Sequence, residues 1–469
     1  MTTELLVDVA VIGAGTAGLA AYRAAKAAGA RAVVIEGGAY GTTCARVGCM
    51  PSKLLIAAAE AVHAIHRAPG FGVHVDGKVR IDGREVMARV KRERDRFVGF
   101  VLQGVESIPE SDRVRGHAKF LDRNTLQVGG RRIEARAIVI ATGSRPAIAP
   151  ILKDLGDRLV VNDDVFDWDN LPRSVAVFGP GVIGLELGQA LARLDVRVVV
   201  LGRGGRLGPI TDPYVHRAAL EAFGHEFALD PDAHVSRVER IGDQVEIDYA
   251  TPGGEKRTER FDYVLAATGR VPNLDTLGLE TLGLERDARG VPAFDRHTAQ
   301  AGVTPIFIAG DAADDIPLLH EAVDEGRIAG ENAARFPHVK AGSRRAPLGI
   351  VFTDPQIAIV GAGFAALKSN ALAAGEVSFQ DQGRSRVMLR NKGHLRVYGD
   401  PSTGRFLGAE MVGPDAEHIG HLLAWALQAE MTVAQMLQMP FYHPVVEEGL
   451  RTALRDLDAH IKQSQPIAA

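Results

Sequence analysis

Two cysteines are the chain's whole complement, and they stand five residues apart in Cys44-Ala45-Arg46-Val47-Gly48-Cys49. Closing so short a loop removes little entropy from the unfolded state, so the pair is a poor staple for 469 residues. Redox exchange or metal binding suits it better. Five steps along a regular helix rise about 7.5 Å, beyond the ~7 Å that disulfide Cα atoms tolerate. The backbone must therefore be irregular near Cys44 or Gly48, and glycine at 48 permits that. A strained, accessible bond is the labile kind suited to exchange. Two inert buried thiols, or half of a metal site, are the alternatives; no nearby His or second Cys pair completes a tetrahedral set.

The elements that would position this chemistry occur twice. A strand-like run Val7 to Ile12 leads into Gly13-Ala14-Gly15-Thr16-Ala17-Gly18, an alanine-rich helix to Ala28 and a second strand ending at Glu36. Later, Ser174 to Phe178 leads into Gly179-Pro180-Gly181-Val182-Ile183-Gly184, a helix through Leu194 and a strand Val196 to Leu201. In such a loop the first glycine makes the turn, the second admits a pyrophosphate, and the third lets helix and strand pack, with phosphate on the positive helix end. A ligand-free glycine turn is the bland reading of either loop alone. Each unit is also followed by a strand and an Ala-Thr-Gly turn, at 141–143 and 267–269, so two dinucleotide sites are expected.

Glu36 lies 18 residues after Gly18, near the ~20 expected for a carboxylate that accepts from a ribose hydroxyl. The same count from Gly184 lands on Gly202, followed by Arg203 and Arg206. The missing acid and the nearby arginines admit a 2′-phosphate, so NAD and NADP both stay open; a solvated loop arginine is the plain reading of Arg203.

Strand 305–309 ends in Gly310-Asp311 and is assigned to the first nucleotide domain on return, which makes the second unit an insertion. From about Pro347 the pattern turns to strand-like segments, His394 to Tyr398 and Phe406 to Val412, and helices Ala416 to Ala429 and Pro444 to Leu457. The expected class is α/β: two Rossmann-like domains, at 1–147 with 271–345 and at 148–270, plus a C-terminal α+β domain at 346–469. At 46% hydrophobic, 24% charged and net charge -4, the chain lacks the basic excess of a nucleic-acid binder. No secretory pattern opens it and no run nears ~18 apolar residues, so no membrane partner and a cytoplasmic location are expected.

The segment Gly41-Thr42-Thr43-Cys44-Ala45-Arg46-Val47-Gly48-Cys49-Met50-Pro51-Ser52-Lys53 resembles the redox signature of the class I pyridine nucleotide-disulfide oxidoreductases, and the pattern is closest to dihydrolipoamide dehydrogenase. The resemblance extends to Phe352-Thr353-Asp354-Pro355 and His443-Pro444-Val445-Val446-Glu447-Glu448. It implies FAD in the first site, NAD or NADP in the second, and a homodimer with shared active sites acting on a small dithiol or disulfide, or on a lipoyl domain. Cys44 would attack the substrate disulfide and Cys49 contact the flavin. Lys53 would lie by flavin N5 and pair with Glu186, Asp311 would hydrogen-bond the ribityl chain, and Ala118 would offer backbone near the first nucleotide. Thr142, Gly143, Ser144, Gly310 and Leu319, with Gly269 and Arg270, complete the implied cofactor-binding residues.

Thiol exchange needs a base for the attacking thiol and an acid for the leaving one, which an imidazole held by a carboxylate supplies. Pro444 suits a first helical position, placing Glu448 about one turn in, within reach of His443. In the resembled family this histidine comes from the partner subunit. His418 and His421, three apart on an expected helix, lack a third metal ligand and read as a solvated or dimer-facing pair. Arg46 and Thr42 depart from the family pattern, which carries Asn and a second Gly there. Arg46 would lower thiol pKa values, bind an acidic substrate, or form a surface ion pair. Two alternatives stay open: an NADPH-dependent reductase of another disulfide or a metal ion, and a flavin-binding sensor with a regulatory disulfide.

Overall fold

The computed structural model describes residues 3–368 and 372–464. The chain divides into two compact units, one of Met1–Pro51, Val90–Ala147 and Arg270–Arg345, the other of Ser52–Arg89, Ile148–Gly269 and Ala346–Ala469.

In the first unit, strand Thr3–Ile12 is the centre of a seven-stranded sheet. It pairs in parallel with Ala32–Glu36 on one side and Arg131–Ile140 on the other. Strand Ile306–Ile308 joins Ile138 to Ile140, also in parallel, which returns the later segment to this sheet. Strands Thr125–Val128 and Ala118–Phe120 extend it in the antiparallel sense. Strand order reverses beside Thr3–Ile12, and in open sheets the crevice at such carboxyl ends takes the ligand.

Both faces of this sheet are covered at the carboxyl ends of its parallel strands, so residues 9–12, 32–35 and 137–140 are continuous Val, Ile and Ala rather than alternating. Val9, Val11 and Val34 pack under helices Thr16–Ala27 and Leu319–Arg335, and each such side chain stabilises by roughly 1.5–3 kcal/mol. The two helices touch because their facing residues are small. A Cβ on Gly326 would lie 2.2 Å from Ala17 O, and one on Gly330 2.1 Å from Ala21 O.

In the second unit, five parallel strands run in the order Ala228–Asp230, Arg197–Leu201, Ser174–Phe178, Tyr263–Ala266 and Leu159–Val160. An antiparallel sheet of His234–Ile241, Gln244–Ala250 and Lys256–Phe261 accompanies them. The C-terminal part is a five-stranded antiparallel sheet packed with helices Ala416–Gln428 and Glu447–Ser464. Its last helix starts at Glu447, not at Pro444 as the proline suggested. Residues 443–446 form a turn in which Val445 N–H donates to Glu448 Oε2 at 3.4 Å, so the second residue of the helix accepts from the turn before it.

Candidate active site

Chain entry into the first loop is steric. Gly13 has φ +108°, and a Cβ there would lie 2.3 Å from Ala141 O; a Cβ on Gly18 would lie 1.9 Å from Gly13 O. Gly15 instead faces open space at the N-terminus of helix Thr16–Ala27, which has no side-chain cap. Backbone N–H groups there are available to an anion. Glu36 sits beside the loop, accepting from Ala14 N–H at 2.8 Å and Gly38 N–H at 2.7 Å. Gly116 N–H donates to Glu36 O at 3.0 Å, which brings the chain leading to Ala118 to the same end of the sheet.

Around this crevice Ser144 Oγ donates to Asp311 Oδ2 at 2.6 Å. Arg270 donates to Ser144 through Nε (2.7 Å to Oγ) and Nη2 (2.8 Å to the carbonyl), so this arginine serves the first unit. Thr142 Oγ1 is buried with no hydrogen-bond partner among the described residues, while Asn273 Nδ2 donates to the Thr142 carbonyl at 3.1 Å. Gly143 follows at φ +68°, and Leu319 opens its helix with an exposed side chain. An orphaned hydroxyl, an open helix end and a carboxylate at ribose distance along the chain all fit a dinucleotide.

The Gly310-Asp311 turn has a support that the sequence reading missed. Gly310 N–H donates to Glu325 Oε2 at 2.7 Å. Burial pushes the Glu325 carboxyl up to about 7, against the opposing pull of Arg344 and the Gly310 N–H.

The cysteines lie at a helix break. Cys44 is on the short helix Thr43–Val47, Gly48 leaves helical geometry at φ -128°, ψ -117°, and Cys49 begins helix Cys49–Arg67. Cys44 is half-buried and Cys49 exposed. Thr42 Oγ1 caps the short helix by accepting from Ala45 N–H at 3.3 Å.

One turn after Cys49 on the same helix, Lys53 Nζ meets Glu186 Oε2 at 2.7 Å. Glu186 is buried on helix Val182–Arg193, and its other oxygen accepts from Phe352 N–H at 2.9 Å. The Phe352 ring lies 4.6 Å from Lys53 Nζ. Phe352 belongs to the Phe-Thr-Asp-Pro segment singled out above, where only an assignment of its role was lacking.

The second glycine loop copies the first: Gly179 has φ +107° and a Cβ added there would lie 2.3 Å from Ala267 O, Gly181 faces open space, and a Cβ on Gly184 would lie 1.9 Å from Gly179 O. Gly269, at φ +109°, likewise has open space beside it. Gly202 does not. A Cβ there would meet Pro231 O at 2.5 Å and Pro180 Cγ at 2.7 Å, whereas Arg203 and Arg206 are exposed.

His443 Nδ1 lies 2.9 Å from Glu448 Oε2, and Arg451 Nη2 donates to Glu448 Oε1 at 2.9 Å. Burial would raise the Glu448 carboxyl, but hydrogen bonds from His443 and Val445 N–H and the charge of Arg451 outweigh it and hold it below the ordinary value. An ionised carboxylate only accepts, so Nδ1 carries the proton and Nε2 is the basic atom. The imidazole is 80% exposed, its Nε2 face open. His421 Nδ1 bonds Glu417 O at 2.6 Å, and among the described residues no group of three or more His, Cys, Asp or Glu could hold a metal.

This constellation on two dinucleotide folds defines a class, and comparison agrees. The pyridine nucleotide-disulphide oxidoreductase family matches residues 7–326 and its dimerisation domain matches 348–454, so the chain belongs to this family of FAD- and NAD(P)-dependent oxidoreductases. The dimerisation domain supports a homodimer. Dihydrolipoyl dehydrogenase of Haloferax volcanii is 34% identical across 96% of this chain and 95% of its own, and that of Bacillus subtilis 30% identical across 95% and 97%. Crystalline LpdA from Mycobacterium tuberculosis matches with a TM-score of 0.81 at 26% identity, covering 97% of this chain and 99% of its own. The Cu(II) complex of the flavoprotein disulfide reductase RclA from Escherichia coli, at TM-score 0.80 and 22% identity over 99% and 100%, shows the shared fold. Among the described residues no helix is long and apolar enough to cross a membrane.

Proposed function

We propose that the chain is a dihydrolipoamide dehydrogenase-like enzyme, interconverting dihydrolipoamide and NAD with lipoamide, NADH and a proton. The observation that carries this reading is the His443–Glu448 hydrogen bond at 2.9 Å. Thiol exchange needs a base and an acid, whereas a sensor disulfide that only switches conformation does not.

Bound FAD supplies two-electron chemistry between the thiols and the nicotinamide. The chain's own residues do the rest. Gly13, Gly15, Gly18 and Glu36 hold its adenosine diphosphate half; Ala118, Thr142, Gly143, Ser144, Gly310, Asp311 and Leu319 line the remainder. Gly179, Gly181 and Gly184 hold the nicotinamide nucleotide, with Gly202, Arg203 and Gly269 about its ends. Cys44 exchanges with the substrate sulfur, and Cys49 closes the internal disulfide. Nε2 of His443 of the partner subunit takes the substrate thiol proton and returns it in the reverse direction. Glu448 fixes the required tautomer, and Lys53, neutralised by Glu186, sets the charge one turn from Cys49.

Domain limits of 1–147, 148–270, 271–345 and 346–469 accompany this reading, as does a cytoplasmic location. Cys44→Ser tests it. Lipoamide turnover should fall by orders of magnitude, while flavin absorbance and dye reduction by NAD(P)H persist; unchanged lipoamide turnover rejects the reading.

A further inference from the structure

Arg46 is a charge on the redox loop that this chemistry leaves unassigned. It stands on helix Thr43–Val47 two residues after Cys44, about 3 Å of axial rise away. Its stem lies over the loop: a Cβ on buried Gly41, at φ +123°, would be 2.9 Å from Arg46 Cδ and 3.1 Å from Val98 Cγ1. The half-buried guanidinium has no ion pair or hydrogen bond among the described residues. The surface ion pair that would explain it blandly is therefore missing.

The neighbouring helix carries more cations than anions. Val98 belongs to helix Gly83–Glu106, whose stretch Lys91 to Arg96 holds four basic residues against two acids. Arg94, one turn before Val98, is already matched by Asp95 at 2.9 Å. The formal charge of that stretch is net positive, and a guanidinium fork is suited to carboxylate. Residues two apart on a helix do not face each other, so Arg46 stands beside the Cys44 sulfur rather than over it. That placement is poor for stabilising a thiolate, and good for gripping a group a few bonds from a sulfur held at Cys44.

Resting on the dithiol reading above, we infer that Arg46 recognises a carboxylate on the exchanging substrate, so that the preferred class is a carboxylate-bearing disulfide or dithiol over its neutral amide. Asn at this position, as in the resembled pattern, has no charge to offer.

Lipoic acid and lipoamide share one dithiolane ring and differ in that carboxylate, which makes them the probes. NADH-dependent reduction of both is measured for the flavin-replete wild type, Arg46→Asn and Arg46→Lys. The acid-to-amide ratio of kcat/KM should fall about tenfold in Arg46→Asn and recover to within about threefold of the wild type in Arg46→Lys. Added salt should lower kcat/KM for the acid in the wild type and change it little in Arg46→Asn. A ratio that stays within about twofold in Arg46→Asn overturns the inference, as does an equal fall for both compounds, which would mark a loop or thiol role. Failure of the wild type to reduce either compound, with dye reduction intact, rejects the dithiol reading itself and this inference with it.

Discussion

Thr42 is held at φ 57°, ψ 150°, a backbone region that favours glycine and that a β-branched side chain resists. The resembled pattern has glycine there. The strain, on the order of 1–3 kcal/mol, sits directly before the redox helix and is offset in part by the long Thr42 cap to Ala45. Thr42→Gly is expected to raise thermal stability, read as a higher Tm by calorimetry; a lower Tm would mean that the cap outweighs the backbone. Glu448→Gln is expected to cost lipoamide turnover about 10- to 100-fold, because an amide can also donate and so no longer fixes the tautomer of His443. Its kcat/KM pH profile should shift while dye reduction does not.

Glu325 gives a pH signature. Its folded carboxyl is raised to about 7 by burial, above the unfolded value near 4.5. A raised pKa contributes stability that is present below the unfolded value and lost as pH climbs through the folded one, here ~3 kcal/mol at most. Glu325→Gln should therefore gain Tm relative to the wild type between pH 5 and pH 8. A flat difference across that window would remove burial as the cause.

The pairs Cys44/Cys49 and His443/Glu448 were legible because each lies within six residues of sequence. Phe352 and Glu325 were not. Phe352 reaches Glu186 across 166 positions through a backbone N–H, a group that every non-proline residue carries and that leaves no sequence mark. Glu325 acts through its burial, its bond from Gly310 N–H and its ion pair with Arg344, none of which local spacing announces.

At the scale of elements, both βαβ units were readable because strand, glycine loop and helix follow one another without interruption. The contact between helices Thr16–Ala27 and Leu319–Arg335 was not, since it joins distant segments through absent side chains. Gly330→Val would drive atoms into Ala21 O, and overpacking of this sort costs about 1–3 kcal/mol. The expected outcome is a lower Tm and weaker flavin retention in dilution assays. Gly99→Ala, on helix Gly83–Glu106 with nothing within 4 Å, should instead stabilise by up to ~1 kcal/mol. The helix start at Glu447 shows the limit of proline as a signal: proline tolerates a first helical position but equally a turn, and here the turn bonds to Glu448 prevail.

For the whole molecule, the dimerisation domain displays large apolar groups, with Trp425 68% and Tyr442 81% exposed in the single chain. Leu422, three residues before Trp425 on helix Ala416–Gln428, is 43% exposed, and adjoining exposed apolar groups of this kind mark interaction surfaces. Trp425→Glu is expected to yield monomers by sedimentation and to abolish lipoamide turnover while sparing dye reduction; a dimer of undiminished mass would place the interface elsewhere.

Gly202 has a consequence for anyone redesigning coenzyme choice. The customary graft of an acid at that strand end has nowhere to go, because Pro180 and Pro231 already occupy the volume. Selectivity in this protein has to be engineered downstream, from Arg203 onward, since replacing Pro180 would still leave the Pro231 backbone carbonyl in the way.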